Sequence, residues 1–234
     1  MRRIAFFGGS FDPPHCGHLA IAKAAADRFA LDEVLFAPVG KQPLKETAPG
    51  AAFLHRYAMT ALATQADKRF SPSLLDAPLE NESMPRPNYT PPNYTVDTLT
   101  RLRDSLEAAS QPFALYTLLG ADSWLGIARW HHALRLLSLS DWIVASRPGF
   151  SLANAERALP AGVVAQPDRD SQGDLLVLRF PSGSTTRVHL LNDLEEDVSA
   201  TALRQSFQIG EAPPILLSAA VLDYIHKTDL YRAH

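Results

Sequence analysis

One stretch near the amino terminus limits what this chain can fold into more than any other: residues 4–18, IAFFGGSFDPPHCGH. The apolar run Ile4-Ala5-Phe6-Phe7 is short and aromatic enough for a buried strand. Gly8-Gly9 breaks it, and Ser10-Phe11-Asp12-Pro13-Pro14 can neither extend a strand nor enter a helix interior. His15-Cys16-Gly17-His18 then leads into an alanine-rich helix predicted over 19–29. A strand, a glycine turn and a helix N-terminus in succession make an anion site, because free backbone N–H groups and the positive end of the helix dipole point at it. His15 and His18, three residues apart, share one face of a first helical turn. The pattern is neither a Walker loop, GxxxxGK[ST], nor the GxGxxG dinucleotide fingerprint.

The second strand, Glu33-Val34-Leu35-Phe36-Ala37-Pro38, follows directly. Strand, helix and strand within about 35 residues form a βαβ unit, which requires a parallel sheet with a right-handed crossover. Residues 39–50 carry Lys41 and Lys45 among Gln, Pro and Gly, in a loop at a strand's carboxyl end, where open α/β sheets put ligands. These lysines either reach phosphate or are simply solvated. A helix is predicted over 51–65, with Phe53, Leu54, Tyr57, Ala58 and Leu62 on its apolar face. A proline-interrupted edge strand over 70–79 follows, then a proline-rich loop over 80–92. Thr95 is a candidate N-cap for a helix over 96–109. A central strand over 113–119 ends at Gly120-Ala121-Asp122-Ser123, again a strand-to-helix junction. One helix is expected over 124–137, carrying Trp130-His131-His132, and a fifth strand over 141–146. Beyond it, a helix over 152–159, a surface insertion rich in Gly, Pro and Asp, strands over 175–180 and 188–191, and two closing helices are expected.

With 234 residues, of which 46% are hydrophobic, the chain is long enough for one substantial core. The reading is an α/β fold, a Rossmann-like doubly wound parallel sheet over 1–195 with a small helical C-terminal part over 196–234. A formal charge of −3 argues against a nucleic acid polymer, which needs a broad basic face, but not against a small phosphate ligand. The single cysteine, Cys16, precludes an internal disulfide and suits a reducing compartment. No apolar segment approaches the roughly 20 residues that span a bilayer, and the run after Met1-Arg2-Arg3 is too short for a signal peptide. A cytoplasmic protein without membrane partners is expected, its oligomeric state left open.

The H-x-G-H after G-G-x-F-D-P resembles the signature of the nucleotidyltransferase α/β-phosphodiesterase superfamily, whose histidines contact nucleotide phosphates. Further blocks narrow this. NYTVDTL, LLGADSW followed by RWHHALRLL, VSATALR and the terminal DYIHKTDLY make the chain similar to the bacterial nicotinate-mononucleotide adenylyltransferase family. The family's usual I-S-S-T is V-S-A-T here, so one hydroxyl is missing at Ala200, a loss on the order of 1 kcal/mol. The resemblance implies an adenylyltransferase in NAD biosynthesis that joins ATP and nicotinate mononucleotide to give deamido-NAD and pyrophosphate. Magnesium is expected with the ATP, held largely by phosphates and water.

Adenylyl transfer needs positioning and charge neutralisation more than a nucleophilic side chain. By resemblance, His15 and His18 hold the triphosphate and stabilise charge on the α-phosphoryl oxygens. Gly8, Gly9, Ser10 and Phe11 let phosphate approach the backbone, and Lys45 adds charge. Ser199, Thr201 and Arg204 make a second phosphate site at a helix start, Ser199 being a natural N-cap. Tyr94, Thr95, Gly120, Asp122, Trp130 and His131 are expected around the mononucleotide. Trp130 offers a face for the cationic pyridinium, N–H groups at Thr95 suit a carboxylate, and Asp122 suits a ribose hydroxyl. Asp12 stands either as a turn former or as a contact to substrate or metal. The rivals are nicotinamide mononucleotide or phosphopantetheine as acceptor, and a nucleotide-binding regulator without chemistry. The phosphopantetheine enzymes lack the NYTVDTL and WHH blocks.

Overall fold

The computed structural model describes residues 1–43, 50–78, 91–146, 150–168, 174–192, 199–211 and 216–232. Its strands are β1 (Arg2–Gly9), β2 (Glu33–Pro38), β3 (Phe70–Pro72), β4 (Phe113–Gly120), β5 (Asp141–Ala145), β6 (Val164–Pro167), β7 (Leu175–Arg179) and β8 (Thr185–Leu191). They form one sheet in the order β3-β2-β1-β4-β5-β8-β7-β6. β1, β4, β5 and β8 are parallel neighbours. β8–β7 and β7–β6 are antiparallel. The helices are α1 (Cys16–Phe29), α2 (Phe53–Thr64), α3 (Thr95–Ala108), α4 (Ala121–Trp124), α5 (Ala133–Leu137), α6 (Leu152–Arg157), α7 (Ala200–Gln208) and α8 (Ala219–Lys227), with a 3₁₀ turn at Ile127–Arg129. The Rossmann-like expectation is met, with one addition: the surface insertion expected after residue 160 supplies β6, which with β7 and β8 extends the sheet antiparallel. Among the described residues, no helix is long and apolar enough to cross a membrane.

The chain forms two compact units. One comprises Met1–Phe7, Ala22–Val34 and Tyr94–Glu195; the other comprises Gly8–Ile21, Leu35–Asn93 and Glu196–His234. In the first, the parallel strands are nearly continuous apolar runs, as strands covered on both faces must be. Trp124 and Trp142 are fully buried and meet edge to face at 5.6 Å. Each indole N–H finds a carbonyl, Ala155 at 2.9 Å and Leu137 at 3.2 Å, which offsets the cost of taking it out of water. Ser151 and Asn154 close a reciprocal capping box that starts α6.

In the second unit, α2 buries a different face from the one its apolar pattern predicts. Leu54 is 75% exposed, while Arg56, Met59, Thr60, Ala63 and Thr64 are buried. The threonines can face inward because each hydroxyl donates to a carbonyl one turn back, Thr60 to Arg56 at 2.8 Å and Thr64 to Thr60 at 2.9 Å. Met59, Leu203, Phe207, Val221 and Ile225 form the core that joins α2, α7 and α8. Gly40 is required by contact: a Cβ there would lie 2.6 Å from the Pro78 nitrogen and 2.7 Å from the Asn93 Oδ1. Asn93 is the latch. Its Oδ1 accepts from the Lys41 N–H at 2.9 Å and its amide donates to the Ala77 carbonyl at 2.8 Å.

Candidate active site

In the second unit, the turn after β1 is built around a buried aromatic ring. Phe11 has φ +46° and is 1% exposed, its ring 5.0 Å from that of His18 and 5.6 Å from that of Phe36. A Cβ on Gly9 would meet this ring at 3.1 Å, so a side chain at Gly9 would displace it. Phe11 therefore contributes packing through its side chain. Ser10 donates to Gln42 Oε1 at 3.3 Å.

Asp12, undecided from sequence, is a hub. It is 4% exposed. Its Oδ2 accepts from the Gly50 N–H at 2.7 Å, and its Oδ1 accepts from the Ala51 N–H at 3.1 Å and from the Tyr231 hydroxyl at 2.6 Å. Arg56, 1% exposed, braces the same turn from the other side. It donates to the carbonyls of Ala51 at 3.1 Å, Ser10 at 2.8 Å and Val39 at 2.8 Å. Burial lowers its pKa and the Asp12 charge opposes that shift.

His15 and His18 open α1 with their rings 3.7 Å apart. The His15 backbone N–H donates to His18 Nδ1 at 3.2 Å, which leaves the proton of neutral His18 on Nε2. His15 is 7% exposed, and its Nδ1 has no partner among the described residues. Burial lowers the His15 pKa to about 4, and burial followed by His15 itself holds His18 well below the ordinary value. Both rings are therefore neutral at pH 7, and both gain basicity when an anion arrives. The expected α7 start is present: Ser199 accepts from the Ala202 N–H at 3.4 Å. One turn on, Arg204 donates to the Asp12 carbonyl at 2.8 Å and to Thr201 Oγ1 at 3.2 Å. Ser10, Asp12, His15 and His18 thus lie on one short stretch between β1 and α1, and Arg204 reaches it from α7 at the Asp12 carbonyl. Lys45 lies outside the described residues.

The residues expected at the mononucleotide fall in the first unit. Tyr94 is the N-cap position of α3, not Thr95, which is the first helical residue; no side chain caps this end. In its first turn the Asp97 N–H already donates to the Tyr94 carbonyl at 3.0 Å, and the exposed Asp97 carboxylate opposes an anion at this end. Tyr94 stacks on His131 with centroids 4.0 Å apart and 26° between planes. The single helix expected over 124–137 is instead broken. Gly126 precedes the 3₁₀ turn, Trp130 is extended, and His132 is left-handed at φ +49°. Three consecutive poor helix formers allow that break. It leaves Trp130 half-buried and His131 exposed, whereas Trp124 and Trp142 are core. Gly120 precedes α4, where a Cβ would meet nothing within 4 Å, and Asp122 is exposed.

Sequence reasoning missed Arg56, Asn93 and Tyr231. A lone arginine in an apolar helix, and the tyrosine closing DYIHKTDLY, were the available signals. Among the described residues, no group of three or more His, Cys, Asp or Glu could hold a metal ion. Asp12 already spends both carboxylate oxygens on protein donors, so it is not a free ligand.

Comparison with known proteins identifies the family and the fold. The family model described as cytidylyltransferase-like matches residues 6–206. The chain is 34% identical over 230 residues to a probable nicotinate-nucleotide adenylyltransferase of Gloeobacter violaceus, covering 98% of this chain and 96% of that one. It is 37% identical to the protein of the same description from Chromobacterium violaceum, covering 98% and 99%. Among solved structures, the nicotinic acid mononucleotide adenylyltransferase of Plasmodium falciparum complexed with NaAD superposes with a TM-score of 0.65 at 18% identity. That match covers 99% of this chain and 98% of the other and supports the shared fold.

Proposed function

The chain belongs to the nicotinate-nucleotide adenylyltransferase family, and on that premise we propose that it joins ATP to nicotinate mononucleotide through the two residue sets described above. A phosphate oxygen of the mononucleotide attacks the α-phosphorus of ATP. The bond from that phosphorus to the bridging oxygen of the β-phosphate breaks, and pyrophosphate leaves with the electron pair. The products are deamido-NAD (NaAD) and pyrophosphate.

His18, with its proton on Nε2, donates to an α-phosphoryl oxygen, and His15 joins it as the triphosphate raises both pKa values. The backbone N–H groups opening α1 take the anion, and Arg204 takes the β- or γ-phosphate. Magnesium would enter with the ATP and be held largely by phosphate oxygens and water, since among the described residues no carboxylate cluster could hold it. Trp130 carries the pyridinium on its face, and the uncapped start of α3 receives the carboxylate. Asp122 accepts from the ribose.

The observation that carries this reading is that one stretch, Asp12 to His18, holds the His15–His18 pair at its helical end and receives Arg204 at its Asp12 carbonyl. The test is pyrophosphate release with MgATP and either nicotinate mononucleotide or its amide. Strong preference for the acid is expected. Equal use of both would remove the carboxylate role from the α3 start, and no release with either would refute adenylyl transfer.

A further inference from the structure

Tyr231 is joined to the phosphate turn from 219 residues away in sequence. Its hydroxyl donates to Asp12 Oδ1 at 2.6 Å, the shortest of that carboxylate's three hydrogen bonds. Two amides already satisfy Asp12, so the phenol is not needed to keep a buried carboxylate from being stranded. Its effect is geometric: a third donor fixes the plane of the carboxylate. That plane matters because Arg204 Nη1 lies 3.8 Å from Oδ2 and donates to the Asp12 carbonyl at 2.8 Å.

The backbone bears out a placed residue. Tyr231 has φ +65°, a conformation rare for a bulky side chain and kept only where the surroundings over-determine it. Those surroundings are visible. The residue is 8% exposed, with the Phe207 ring 6.0 Å away. Gly50 provides a slot that Tyr231 shares with Arg204: a Cβ on Gly50 would meet Arg204 Cδ at 2.9 Å and Tyr231 Cε1 at 3.1 Å. Burial, and then the Asp12 charge, push the phenol pKa up, so it remains a donor at every working pH.

We propose that Tyr231 is a positioning residue for nucleotide binding: through Asp12 and the Gly50 slot, it sets where the Arg204 guanidinium stands. This rests on the reading of Arg204 as a ligand of the ATP phosphates. A residue that merely filled the core would need the ring and not the hydroxyl, and would not favour one substrate.

The test is Tyr231→Phe, which keeps the ring. The dissociation constant for MgATP is measured by calorimetry, and KM for each substrate by pyrophosphate release. The MgATP Kd and KM are expected to rise about tenfold, one hydrogen bond's worth of affinity. KM for nicotinate mononucleotide should stay within about twofold of wild type. In an Arg204→Ala background the same substitution should change nothing further. Gly50→Ala, which crowds the same two side chains, should give the same ATP-selective loss.

Unchanged MgATP affinity in Tyr231→Phe would overturn the proposal. So would equal rises in both KM values, or a full effect surviving in the Arg204→Ala background. Wild-type protein that binds MgATP but releases no pyrophosphate would refute adenylyl transfer alone, and the Kd series would still decide the role of Tyr231. Wild-type protein that fails to bind MgATP would overturn both.

Discussion

Arg56 is the buried group whose loss should be felt most. Arg56→Met keeps most of the side chain's length and removes the guanidinium. Four carbonyls would lose a charged donor, Ala51, Ser10 and Val39 at close range and Gly40 at 3.5 Å. Hydrogen bonds to charged groups contribute about 1.5–3 kcal/mol each, and a stranded buried acceptor costs about 1–3 kcal/mol. Against this, removing a buried cation relieves its desolvation, the cause that lowers the Arg56 pKa. The net expectation is a loss of about 3–5 kcal/mol, in the range seen when one partner of a buried charged network is removed. Arg56→Lys, with a point charge that cannot reach these divergent carbonyls at once, should lose roughly half as much. Urea unfolding at pH 7.5 measures both. Because Arg56 holds the Ser10 carbonyl, Arg56→Lys should also raise KM for MgATP more than that for the mononucleotide. If Arg56→Met unfolds within about 1 kcal/mol of wild type, the carbonyls find other donors and the bracing argument is wrong.

Further outcomes follow from the same geometry. His18→Ala should lower turnover by at least about 100-fold with the fold intact, the scale of losing one charge-stabilising donor; a fully active variant in single-turnover assays would end the proposed mechanism. Trp130→Ala should raise the mononucleotide KM far more than that for ATP, and equal effects would take Trp130 away from the pyridine. Stability should depend on pH through the histidine pair. Below pH 6.5 the unfolded chain binds a proton that folded His15 refuses until about pH 4, so stability is complete above 6.5 and is lost as pH falls toward 4. The His15 contribution is on the order of 3 kcal/mol at most, and His18 acts in the same direction. Urea midpoints at pH 7.5 and 5 should separate less in His15→Asn than in wild type.

Much of the architecture was legible because strong local signals and backbone geometry agree. The apolar run at β1, the glycines after it and the alanine-rich α1 leave few alternatives to a βαβ start. β2 appears at the residues its apolar run marks, and α7 begins at the serine that chain chemistry favours as a cap. Where two signals conflicted, reading failed. α2 is a helix where its pattern places one, but its apolar residues do not mark its buried side. Hydrophobicity alone cannot show that an arginine finds four carbonyls, or that two threonines turn their hydroxyls back on their own helix. The segment over 124–137 has helical composition, which points to one continuous helix. The break is set by an extended Trp130 and a left-handed His132, backbone states that composition does not reveal.

The amino-acid sequence by itself determined the kind of chemistry: an anion site at a helix start, two imidazoles on one turn, a second capped helix bearing Arg204, and one tryptophan beside two histidines. These are short-range patterns, fixed by spacings of one helical turn or less. Only the tertiary structure decided how they are held. Asp12 meets Gly50, Ala51, Arg204 and Tyr231, partners 38 to 219 residues away. A buried carboxylate will accept any donors that reach it, and which donors arrive is settled by the packing of the core around Met59, Phe207 and Ile225 rather than by any spacing along the chain.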